Sequence, residues 1–224
     1  MPTKKKPVPR DSPGPAEDSL GLERIIFFSD AVMAIAITLL AIDLKLPEVD
    51  PNRALTEVPR QLASLGPNFM TFFISFVVIG IYWISHHRYF AYIKRYDVRL
   101  IVLNLMFLFF IVCMPFVANL LGHYTDVPIV LILYTLAVAA LGVSMALIWW
   151  YASRNHLISE ELDAQSIRMI NVRLYTSPVM FLAAVPFAYI SSTAVILVWW
   201  LSPLAVLASM RIFGRQADSK KSKG

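Results

Sequence analysis

Residues 23–47 read ERIIFFSDAVMAIAITLLAIDLKLP. The stretch is long and apolar enough to cross a bilayer as a helix, which takes about 20 residues. Yet it carries Arg24 at its start, Ser29 and Asp30 about two turns in, and Thr38 deeper still. Hydrocarbon offers such groups no hydrogen bonds, so they must face protein or water. A first span with this pattern reads as a pore or permeation helix rather than an anchor.

The rest of the chain agrees with a membrane setting. Hydrophobic residues make up 58% of its 224 positions and charged residues 16%, with a mean hydropathy of +0.63. A soluble domain of this size has no reason to be so poor in charge. No polar segment is long enough to form a separate soluble domain. The single cysteine, Cys113, lies in an apolar run and serves neither a disulfide nor a cysteine-based metal site.

Six apolar runs follow one another, at about residues 25–46, 69–85 (with a helical extension towards 92), 100–121, 127–151, 172–190 and 194–212. Each is near the span length of a helix, and none alternates as a barrel strand would. The expected fold is therefore all-α, with six transmembrane helices. Residues 21–213 form the membrane domain. Residues 1–20, rich in proline and charge, read as a disordered tail, and 214–224 as a basic tail. The connection from Pro47 to Pro67 has some helical character, Asp126-Val127-Pro128 opens the fourth span, and Ser191-Ser192-Thr193 makes a tight hairpin between the last two. Pro115, Pro178, Pro186 and Pro203 are positions where spans can bend.

The net charge of +5 reflects orientation, not nucleic-acid binding. The N-terminal part, the second-to-third and fourth-to-fifth connections and the C-terminal end hold seventeen Lys and Arg. The opposite side holds three: Lys45, Arg53 and Arg60. Both termini are therefore expected in the cytoplasm.

Polar groups recur at one depth. Arg24, Ser29 and Asp30 lie near the cytoplasmic end of span one; Trp83, His86 and His87 reach that level from span two, and Asn104 starts span three there. These residues can be structural glue, since a buried polar group left unpaired costs about 1–3 kcal/mol. They can equally mark a proton relay or ion site. Adjacent histidines point about 100° apart on a helix, which is poor geometry for one metal. In the outer half of span one, Ile35, Thr38, Leu39 and Ile42 share a face. Ordinary packing explains that face in a lone helix. Around a common axis, the aliphatic residues would instead form constricting rings and Thr38 a ring of hydroxyls. No potassium-filter TVGYG loop, voltage-sensing arginine series, HExxH, GxSxG or P-loop appears, so no catalytic machinery or cofactor site is encoded in a familiar form.

Arg24-x-x-x-Phe28-Ser29-Asp30 resembles the signature that opens the first helix in the transmembrane protein 175 family. Ala34-Ile35-Ala36-Ile37-Thr38-Leu39-Leu40, Asp43 to Pro47, and Trp83-x-x-His86-His87-x-x-Phe90 fit it too. The match covers the first two spans; the other four agree in number and length. The resemblance implies a prokaryotic, six-helix member that assembles as a homotetramer in the inner membrane, with helix 1 of each subunit lining a central pore for potassium ions. It implies that Ile35, Leu39 and Ile42 supply the constriction and Thr38 the potassium preference. Arg24, Phe28, Ser29, Asp30, Trp83, His86, His87 and Asn104 would tie helices together. Asp43 would sit at the outer mouth, either gathering cations or simply at the interface. The rival readings are a proton-coupled transporter or proton channel using Asp30 with His86 or His87, and a membrane-embedded assembly protein.

Overall fold

The computed structural model describes residues 15–42, 44–46, 48–160, 162–199, 201, 204–206 and 208. Six α-helices are bounded within them: α1 (Pro15–Ile42), α2 (Ala54–Ser64), α3 (Gly66–Phe90), α4 (Val98–His123), α5 (Pro128–Arg154) and α6 (Ala164–Ala184). Short 3-10 turns at Pro51–Arg53 and Val185–Tyr189 precede α2 and follow α6. Residues 192–199 are helical again, as are 201, 204–206 and 208. Five of the bounded helices are long and apolar enough to cross a membrane: all but α2. Of the expected sixth span, 194–212, residues 194–199, 201, 204–206 and 208 are helical and the others lie outside the described residues.

Helix ends follow local chemistry. The Asp97 carboxylate accepts the Leu100 N–H at 2.8 Å and starts α4. Asp163 does the same for Ser166 at the start of α6. Pro128 opens α5 as its first helical residue, where a missing N–H costs nothing. Two boundaries differ from expectation. Helix α1 begins at Pro15, inside the segment read as a disordered tail, and ends at Ile42. Helix α6 begins at Ala164 rather than near Val172, because an amphipathic stretch containing Arg168 and Arg173 continues the apolar helix towards the end expected to face the cytoplasm. The first of the outer connections is helical in part: α2 runs through Pro59.

Helix α5 is the centre of the chain. Two thirds (67%) of its most apolar window is buried, against 22–39% for the other spans. It packs against α3, α4 and α6. Trp199 stacks 4.9 Å from Tyr134, which brings the last helical residues back onto α5. Helix α1 lies at the edge and touches only α3 and α4 among these elements. At the end expected to face the cytoplasm, the α3–α4 and α5–α6 connections are pinned together: the Lys94 N–H donates to Leu157 at 2.7 Å and the Ser159 N–H to Tyr92 at 2.8 Å. The Tyr151 hydroxyl donates to Asp97 beside them. This clamp fixes the inner ends of four helices, and so sets the depth at which their polar side chains meet.

Candidate functional site

Helix α1 presents two opposed stripes, each with the 3-4 spacing of a packing seam. Leu22, Ser29, Met33, Ala36 and Leu40 are buried against α3 and α4. Arg24, Phe28, Ala31, Ile35, Thr38 and Ile42 form the other stripe, and all are exposed on the single chain. At 100° per residue the two stripes lie roughly 160° apart. A helix that is apolar on both sides has no face for water.

The exposed stripe holds the aliphatic and hydroxyl residues together. Ile35 is 58% exposed and Ile42 52%, with Leu39 beside them at 39%. The Thr38 hydroxyl donates to the Ile35 carbonyl at 2.8 Å. Its proton is thereby used on its own helix, and its oxygen lone pairs are left facing outwards. An oxygen presented in this way can accept from water or coordinate a cation, but it has no proton to donate. Asp43 lies outside the described residues.

The buried stripe carries a directional hydrogen-bond chain. Ser29 Oγ donates to the Ile25 carbonyl at 2.8 Å, so it is free to accept the Asn104 Nδ2–H at 2.9 Å. That orientation turns Asn104 Oδ1 towards His86 Nε2, also at 2.9 Å. The proton of a neutral His86 therefore belongs on Nε2. The chain links α1, α4 and α3, and its three side chains are buried. The His86 ring is held by stacking on Phe90 (centroids 4.1 Å apart) and on Phe107 (5.6 Å). Its Nδ1 is buried with no partner among the described residues. On the flank, the Trp83 indole donates to Asp30 Oδ1 at 2.8 Å, a second tie between α3 and α1.

The polar residues singled out from the sequence thus divide into two groups. Ser29, His86 and Asn104 come together, and Asp30 pairs with Trp83. Arg24, Phe28 and His87 stand outside the chain of bonds: Arg24 and Phe28 share the exposed stripe, and His87 sits at the surface against Trp83. Arg24 has no hydrogen bond or ion pair among the described residues. Two further buried ties were not anticipated: Ser75 Oγ lies 3.1 Å from the Tyr134 hydroxyl, and the Tyr82 hydroxyl donates to the Val138 carbonyl at 3.2 Å. Their signal was present, because Ser75, Ile79, Tyr82, His86 and Tyr89 follow the same 3-4 spacing along α3.

No cluster of three or more His, Cys, Asp or Glu able to hold a metal occurs among the described residues. The geometry is that of a rigid frame behind one helix and a free apolar stripe in front of it.

Residues 24–115 match the family described as endosomal/lysosomal potassium channel TMEM175. A potassium channel of Streptomyces collinus is 32% identical over 174 residues, which is 75% of this chain and 83% of that protein. A potassium channel of Chamaesiphon minutus is 30% identical over 172 residues, 75% of this chain and 84% of that one. The human endosomal/lysosomal proton channel TMEM175 is 26% identical over 210 residues, and the chain spans 41% of its length. The crystal structure of a lysosomal potassium-selective channel TMEM175 homolog from Chamaesiphon minutus superposes with a TM-score of 0.73 at 26% identity, covering 85% of this chain and 98% of that one. With the R-x-x-x-F-S-D opening, the helix arrangement and these relatives in agreement, the chain belongs to the TMEM175 family.

Proposed function

We propose that four copies of this chain form a potassium-preferring, leak-type cation channel in the inner membrane of a prokaryote. The α1 helix of each copy faces a shared axis. The single observation that carries this reading is the second stripe of α1: Ile35, Thr38 and Ile42 are exposed on a helix whose opposite side is bonded and packed into the chain. Around an axis, Ile35, Leu39 and Ile42 become apolar rings that restrict water. Thr38 becomes a ring of oxygen acceptors that replaces part of an ion's hydration shell. Arg24 then lies at the inner end of the same stripe, where a neighbouring subunit can supply the carboxylate it lacks among the described residues of its own chain. The bacterial relatives named as potassium channels support potassium as the permeant ion.

A second reading, proton permeation, is favoured by the human relative's description as a proton channel. In this chain it would use the same axial pathway. A relay through Asp30 and His86 has the geometry against it, since Asp30 bonds Trp83 and His86 Nδ1 has no hydrogen-bond partner among the described residues.

Flux from purified protein in liposomes tests the proposal. Potassium efflux that is passive, and faster than sodium efflux, is the expected result. Saturable exchange driven by a pH gradient would indicate a transporter, and no ion movement would indicate an assembly role.

A further inference from the structure

A cavity of about 460 Å³ opens between α3, α5 and α6, with Val206 of the last helical residues also in its wall. Its origin is architectural. Helices α3 and α6 both pack on α5 but not on each other, so α5 becomes the floor of a slot and they become its walls. Gly142 keeps the floor low: a Cβ there would lie 3.0 Å from both Pro178 Cδ and the Tyr82 hydroxyl. Ile81 is 50% exposed and marks the lip through which the slot meets the surroundings.

The slot has a defined length and polarity. Its α3 wall runs from Val78, midway along the helix, to Tyr89 in the last turn. Those positions are about 16 Å apart at 1.5 Å per residue, roughly half of a 30 Å hydrocarbon core. One leaflet of the bilayer has that depth. Along this length the lining is largely aliphatic and aromatic. At the Tyr89 end stands Arg173, the one formal charge among its described lining residues. Arg173 and Tyr89 both line this end of the slot. Neither its guanidinium nor the Tyr89 hydroxyl has a hydrogen-bond partner among the described residues. The cation therefore sits at headgroup depth, on the side that the Lys and Arg bias assigns to the cytoplasm.

We infer that this slot is a binding site for an anionic phospholipid of the inner leaflet. One acyl chain lies along α5 between Val78 and Phe181, and the phosphate is paired with Arg173 and hydrogen-bonded by Tyr89. The volume is within the range of about 300–1,000 Å³ typical of ligand sites. An arginine fork at the rim pairs with a phosphate diester, and its charge favours a lipid of net charge −1 over one whose own cationic headgroup neutralises the phosphate. The site is separate from the α1 stripe, because α1 touches neither α5 nor α6. Its test is accordingly a binding measurement that is independent of ion flux.

The experiment is native mass spectrometry of the full chain released from detergent, with equal amounts of phosphatidylglycerol and phosphatidylcholine bearing the same acyl chains. The wild type should retain phosphatidylglycerol about tenfold over phosphatidylcholine, the discrimination that one charge-assisted contact provides. Arg173→Gln should bring the ratio to about one, and Arg173→Lys should keep a preference. Ile81→Trp, which closes the lip from the surface, should remove the retained lipid of either kind. Equal retention by the wild type, an unchanged preference in Arg173→Gln, or full retention in Ile81→Trp would overturn the assignment. If Arg173→Gln fails to fold, the Ile81→Trp comparison still decides. Oleate offered alone should be held more weakly than phosphatidylglycerol; tighter retention would assign the slot to a free carboxylate and overturn the phospholipid.

Discussion

At the scale of single residues, the hydroxyl of Thr38 and the amide of Asn104 face opposite ways, one outwards and one into the chain. Thr38 spends its proton on Ile35 and turns lone pairs outwards. Removing the oxygen should lower the potassium-to-sodium permeability ratio by roughly three- to tenfold, since the net worth of one hydrogen bond is about 0.5–1.5 kcal/mol. Reversal potentials of Thr38→Ala in bi-ionic conditions measure this, and an unchanged ratio would remove Thr38 from selectivity. Asn104 does the opposite work, joining Ser29 to His86 out of reach of solvent. Asn104→Leu strands His86 Nε2, at about 1–3 kcal/mol, while Ser29 keeps its bond to the Ile25 carbonyl. It should lower the melting temperature in detergent, and at comparable protein yield should leave the permeability ratio unchanged. Both residues could be picked out from the sequence, because a polar group in an apolar run is conspicuous. Their division of labour could not, because helix rotation decides which of Ser29 and Thr38 faces the chain's own core.

At the scale of elements, α1 is defined by its two stripes. The buried one needs small or polar residues, such as Ser29 and Ala36, where α3 and α4 approach. The exposed one can be altered without touching that seam. Ile35→Ala should therefore raise single-channel conductance by widening an apolar ring, while the melting temperature stays close to that of the wild type. Unchanged conductance would place the narrowest ring at Leu39 or Ile42. Gly142 in α5 shows the reverse sensitivity, with Tyr82 and Pro178 already in contact range of a methyl group. Gly142→Leu should destabilise by about 1–3 kcal/mol through overpacking. At about 2–4 °C per kcal/mol for a chain of this size, thermal unfolding would detect it. Spacing made the α1 stripe visible in advance. The role of Gly142 depends on which helices cross at that point, and periodicity along one helix carries no such information.

At the scale of the whole molecule, a peripheral helix with an uncovered apolar stripe calls for a partner. Lipid can cover Ile35 and Ile42, but its hydrocarbon gives Thr38 no use for its lone pairs. The proposed four-fold association would answer both needs at once. Native mass spectrometry should find four chains per particle. A strictly monomeric particle that still conducts would disprove the axial arrangement. The inner-end clamp between the two cytoplasmic-side connections holds the frame in one piece. Assembly can then join preformed chains without repacking them.

Composition and apolar run length alone determined that the chain is helical and embedded in a membrane, because hydrocarbon tolerates few backbone arrangements and those runs match its thickness. The R-x-x-x-F-S-D opening carried kinship in the same direct way. Tertiary structure alone decided that α1 begins at Pro15, that Ser29 and not Arg24 meets Asn104, and that α3 and α6 stand apart over α5. The reason is physical: a span is chosen by its solvent, residue by residue, whereas rotation and crossing are chosen by which neighbouring side chains fill the space between helices.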